Sequence, residues 1–273
     1  MSNASSDGGR AAHEVHDPTH HADAPKRPKL PWGPWVSVIY AVVVFFAAQY
    51  VAGLFIYLYP LYHGWTAAQT QDWVNGSIVA QFIYILLAES LTFGAIWWFI
   101  RRKKGSLRLI GWRWPRWKDP VYTLAGYAAY FALFALMLMA AKALVPGLNL
   151  DQKQELGFDH VAGDANLVLT FLSLVVLPPI VEETVFRGFV FTGLLTKLKP
   201  LWAGLATSAL FAAAHLQFGS GAPLLWVAGL DTFVLSLVLC YLRYKTSSLW
   251  PGIFLHALKN GIAFLTLYVF VGR

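Results

Sequence analysis

Residues able to do chemistry stand in this 273-residue chain where polarity is costly, inside long apolar runs. Glu89, Glu182, Glu183, Asp231, His215, His256 and Asn260 all fall within such runs, as do the basic residues Lys142, Arg187 and Lys259. At the centre of a membrane helix each charge costs about 2.5–3.5 kcal/mol, so Glu182, Glu183 and Arg187 together cost roughly 8–10 kcal/mol if unpaired. An intramembrane cluster of this kind is a functional-site hypothesis by default. Glu183 and Arg187 are four residues apart, share a helix face and can pair. Glu182 points about 100° away, which leaves its carboxylate free to serve as a general base or acid. His256 and Asn260, also four apart, share a face. Two donors side by side opposite a Glu/His pair is what carbonyl hydrolysis requires: one pair activates water and the other holds the oxyanion.

The elements that must position these groups follow from composition. The chain is 57% hydrophobic and 13% charged, against about 25% charged in soluble domains, which excludes a soluble enzyme. A membrane-spanning helix needs about 20 mostly apolar residues. The expectation is an all-α polytopic membrane protein with about seven such spans, near 35–58, 78–100, 122–145, 167–195, 202–218, 224–242 and 249–271. Pro178-Pro179 should break or kink the long fourth span. The basic, Trp-rich stretch around 101–118 is too charged to span and reads as one interfacial amphipathic segment on the headgroups. Counted inward from Lys197, Lys199 and Lys245, the residues Glu182, His215 and His256 lie roughly 22, 24 and 16 Å deep, so they can meet.

Charge sets the orientation. With the N-terminus in the cytoplasm, sixteen Lys and Arg fall on inner segments against Lys153 and Arg273 on outer ones, as the positive-inside rule demands. The C-terminus then lies on the opposite side of the cell membrane. The net charge of +7 is spread over span ends rather than one face, so no nucleic-acid partner is expected. Residues 1–30 form a polar tail expected to be disordered, in which His13, His16, His20 and His21 are at most a compositional hint of metal binding. The helices of 31–165 form an N-terminal part, and 166–273 the catalytic core. Cys240 stands alone, which forbids an intrachain disulfide and a Cys-based zinc cluster.

Three motifs carry a resemblance. Glu182-Glu183 through Arg187 reads as E-E-x-x-x-R, Phe211 through His215 as F-x-x-x-H, and His256 through Asn260 as H-x-x-x-N. In this order they resemble the CPBP family of intramembrane glutamic endopeptidases, related to the type II CAAX prenyl endopeptidases and bacteriocin-processing proteins. The resemblance covers about residues 165–270. It implies that Glu182 with His215 activates water, that His256 and Asn260 stabilise the oxyanion, and that Glu183 and Arg187 shape the site. It further implies no covalent intermediate, no cofactor and no metal, and a peptide or protein substrate, in some members lipid-modified, met among membrane lipids.

Other readings stand beside this one. Glu183–Arg187 is also readable as a purely structural ion pair, and His256 with Asn260 as helix-joining contacts. Glu89 and Asp231 lie outside the motifs and suit packing or proton access as well as chemistry. With Glu182 they would form the relay of a proton-coupled transporter. A zinc hydrolase using His215, His256 and Glu182 as ligands, and a catalytically idle scaffold or immunity protein, complete the alternatives. HExxH is absent, and Gly219-Ser220-Gly221 reads as a turn rather than a nucleophile elbow.

Overall fold

The computed structural model describes residues 28–150, 152, 157–158, 161–216 and 224–270. The histidine-rich tail and the Gly219-Ser220-Gly221 turn lie outside these residues. Among the described residues every regular element is helical. The helices are α1 (Pro34–Tyr62), α2 (Ala67–Gly76), α3 (Ile78–Arg102), α4 (Asp119–Leu144), α5 (Asp164–Leu194), α6 (Pro200–Ala214), α7 (Trp226–Thr246) and α8 (Trp250–Phe270). Six of them are long and apolar enough to cross a membrane, and the chain is an integral membrane protein.

Two expected elements differ in form. The stretch 202–218, read as a span, is the fifteen-residue α6, about 22 Å long against a hydrocarbon core of about 30 Å. It stops at Ala214. The segment 101–118 is only partly interfacial. Trp114 and Trp117 are exposed, but Ile110 is fully buried, lodged where a Cβ on Gly188 would lie 3.2 Å from its carbonyl oxygen. The indole of Trp112 donates to Thr184 Oγ1 at 3.0 Å. The apolar half of the segment is wedged into the bundle because burial returns more than the headgroup region can. Short α2, which the apolar runs did not announce, is held by a capping box between Thr66 and Gln69.

α5 carries the Pro178-Pro179 pair without breaking. Instead, residues Leu172–Val176 and Glu183–Val190 are wound as wider π-helical turns. Proline has no N–H, so Pro178 cannot donate to the carbonyl of Leu174 four residues back. Asn260 of α8 supplies the missing donor, its Nδ2 lying 2.9 Å from that oxygen.

The bundle has two chemically distinct ends. At one, Leu249 N donates to Gly111 O at 3.1 Å, Arg243 lies against Gly111 and donates to Thr192 Oγ1 at 3.2 Å, and Trp250 Nε1 donates to Arg113 O. Lys29, the Arg101–Lys104 block, Arg108, Arg116, Lys118, Lys197, Lys199 and Lys245 belong to this end. At the other, Val227 N donates to Gln152 Oε1 at 3.1 Å and Phe158 N to Gln81 Oε1 at 3.1 Å. The densest packing lies toward the basic end, where Trp32, Phe99, Ile100, Ile110 and Phe189 form one cluster and the Trp32 and Phe189 rings stack at 5.5 Å. Gly193 makes this possible: a Cβ there would lie 1.9 Å from Ser37 Oγ.

Candidate active site

The first motif splits its two glutamates. Glu183 and Arg187 are fully buried and in contact at 3.0 Å, Oε1 to the guanidinium. Arg187 also lies over the Phe211 ring, 4.3 Å from its centroid, so the π face takes part of the cation. Its guanidinium nitrogens find no well-formed hydrogen bond among the described residues, so the compensation is electrostatic. Glu183 Oε1 also faces His256 Nδ1 at 3.2 Å. A carboxylate only accepts, so Nδ1 carries the proton there. Gly252 of α8 permits the approach: a Cβ on it would meet Glu183 Oε2 at 2.9 Å.

Glu182 is placed otherwise. Its side chain retains 23% exposure, and Oε2 lies 3.8 Å from His256 Nε2, too far for a hydrogen bond. That oxygen has no hydrogen-bond partner among the described residues. His215, the first residue beyond α6, has its Nδ1 2.8 Å from the carbonyl of Phe211. A carbonyl cannot donate, so Nδ1 is the N–H, and in the neutral ring Nε2 then carries the lone pair. Phe211 therefore does three things: it floors Arg187, fixes the tautomer of His215, and packs edge-on against His256 at 5.9 Å. The F of F-x-x-x-H had carried no assigned role; its sequence signal was the four-residue spacing to His215.

Glu182, His215, His256 and Asn260 line one cavity of about 260 Å³. The structure thus brings together all four residues singled out for chemistry, with Glu183 and Arg187 directly behind them. Asn260 uses one amide hydrogen on Leu174 O, which leaves the other for the cavity. A second cavity of about 150 Å³ joins Glu182 and His215 to Gln49, Glu89 and Thr92, so the N-terminal helices contribute walls to the site. Asp231 and Lys259 line the first cavity and pair at 2.7 Å, with Tyr130 hydroxyl also donating to Asp231. The two lie fourteen residues either side of Lys245, an equal depth that was legible beforehand. Among the described residues no three His, Cys, Asp or Glu side chains converge as a metal site would need, so His215, His256 and Glu182 are not arranged as a ligand set.

The model of the Rce1-like type II CAAX prenyl endopeptidases matches residues 164–262, from the start of α5 to beyond Asn260. Over that segment the chain is similar to the Rce1-like family. An uncharacterized 24.3 kDa protein of Escherichia coli is 34% identical over 93 residues, a match spanning 33% of this chain and 41% of that one. No solved structure matches the chain. The Rce1-like segment contains all three motifs, while α1, α3 and α4 lie outside it.

Proposed function

We propose that the protein is an intramembrane endopeptidase that hydrolyses a peptide bond with water activated by Glu182 and His215. The observation that carries this reading is the convergence of a free carboxylate, an imidazole with an available Nε2 and two donor side chains on one cavity within the bilayer. Glu182 takes a proton as water attacks the scissile carbonyl, and His215 Nε2 accepts the second hydrogen bond of that water and orients it. The carbonyl oxygen becomes an oxyanion held by Asn260 Nδ2 and by His256, whose Nε2 faces the cavity and must carry a proton for this role. Glu183, already holding His256 Nδ1 at 3.2 Å, fixes the ring and supplies the countercharge. Collapse of the tetrahedral intermediate breaks the C–N bond, and the proton on Glu182 passes to the leaving amine. One water is consumed; an acid and an amine are formed.

The substrate is a peptide or protein reached within the membrane, and lipid-modified substrates are compatible with the apolar groove described below. The orientation puts the N-terminus in the cytoplasm, on the strength of the basic end. Purified protein and its Glu182→Gln variant, compared on C-terminal peptide libraries in detergent or bilayers, test the assignment. Loss of cleavage with helicity retained is expected. Wild-type cleavage by Glu182→Gln would end it.

A further inference from the structure

The catalytic cavity has a direction. From Glu182 and His256 it runs past Asn260, Lys259 and Asp231 to Leu267 and Tyr268. On α8 each of these steps moves away from Trp250. On α5 the lining steps back from Glu182 to Pro178 and Leu174, and on α7 from Leu235 to Asp231. All three helices therefore carry the cavity away from the basic end. Toward the basic end it is stopped: Arg187, Phe189, Leu239 and Leu255 are all at 0% exposure, and Leu249 at 1%. α6 ends at Ala214, level with the site.

The Asp231–Lys259 pair is an independent sign of water in that half. Its side chains are 19% and 25% exposed. Partly exposed charges at membrane depth persist where they border a water-filled cavity rather than lipid. The cavity that does extend toward the basic end, about 390 Å³ between α1 and α6, is lined by apolar side chains such as Val38, Val42, Phe46 and Leu210. It shares Phe45, Val185, Phe186 and Ala214 with the smaller cavity at Glu182 and His215, and its apolar walls suit a hydrocarbon chain but disfavour a polar peptide.

We propose that the active site is entered from the membrane face opposite the basic loops, so that its substrates are peptide segments exposed on the outer side of the cell membrane. The sidedness follows from the cavity and the charge bias; that a peptide enters rests on the peptidase reading above. A protein whose modified end lies in the cytoplasm would have to carry polar backbone past those apolar walls to reach Glu182. Exported or outward-facing peptides need no such passage.

Thiol labelling decides the matter without requiring turnover. In a Cys240→Ser background, Ala263→Cys places a thiol in the cavity lining one turn beyond Asn260, and Ser106→Cys places one in the exposed basic loop. A charged maleimide is added to spheroplasts and to inside-out vesicles; its crossing of the hydrocarbon core is strongly disfavoured. The Ala263→Cys protein should react about tenfold or more faster in spheroplasts, and the Ser106→Cys protein correspondingly faster in inverted vesicles, given the cost of moving charge through the core. Leu267→Cys, nearer the mouth, repeats the test if Ala263→Cys does not accumulate. Labelling of the cavity thiol from the same side as Ser106→Cys, or from neither side, overturns the proposal. Adding Glu182→Gln should leave labelling unchanged, so a failed peptidase assignment and a failed sidedness produce different results.

Discussion

Glu182 and Glu183 are adjacent in the chain yet belong to two different regions of the molecule. Toward the basic end α5, α7 and α8 pack tightly, beside the apolar cavity between α1 and α6. There Glu183 is 1% exposed, held by Arg187 and His256, and aromatic rings fill the space around Phe189. Toward the other end lies a cavity bordered by Glu182, His215, Asp231, Lys259 and Asn260. The same residue type is thus structural on one side of a single peptide bond and chemically available on the other. A carboxylate with its charge matched and its water removed is a fastener. One at a cavity, with an oxygen unpartnered among the described residues, is the group we propose as general base.

That contrast can be broken from either side. Glu182→Gln should lower kcat by about 10²–10⁴, the usual contribution of general acid–base catalysis, while the melting temperature in detergent stays put; a large loss of stability with activity retained would reverse the two regions. Arg187→Met should do the opposite first, destabilising the fold by about 3–5 kcal/mol because Glu183 is left as an uncompensated buried charge. Thermal unfolding reads this directly. Asn260→Leu tests the border: it removes one oxyanion donor, worth about 10²–10³ in kcat, and strands Leu174 O at a cost of about 1–3 kcal/mol. Finding the stability loss without the rate loss would confine Asn260 to bracing Pro178. Gly252→Ala should cost about 1–3 kcal/mol by overpacking against Glu183. Trp112→Phe, which gives up the bond to Thr184 and part of the ring contact with Trp250 and Phe93, should cost about 1–2 kcal/mol and leave kcat unaltered.

Much of this was written in linear order. Apolar runs located every long helix because a bilayer core forces about 20 residues to be apolar wherever the chain crosses. The four-residue spacing of Glu183 and Arg187 announced their pairing, since neighbours on a helix surface need no tertiary information. Glu182, His215 and His256, which the depth arithmetic allows to meet, border one cavity. Where reading faltered, the outcome hung on partners distant in sequence. The hydropathy of 202–218 is continuous, yet α6 ends at Ala214. The basic stretch near 101–118 looked wholly interfacial, yet Ile110 is buried because Gly188, 78 positions later, leaves room for it.

Local patterning by itself therefore determined which segments lie in the membrane, which end carries the positive charge, and which polar residues demand an explanation. Those are properties of single helices in a solvent of known thickness. Only the folded bundle decided which glutamate is sealed and which faces a cavity, that Phe211 sets the ring of His215, and that Asn260 answers the carbonyl freed by Pro178. These outcomes depend on helix rotation and contact across the bundle, and rotation is set by π-helical winding and by where glycines let neighbours close in, neither of which a hydropathy run contains.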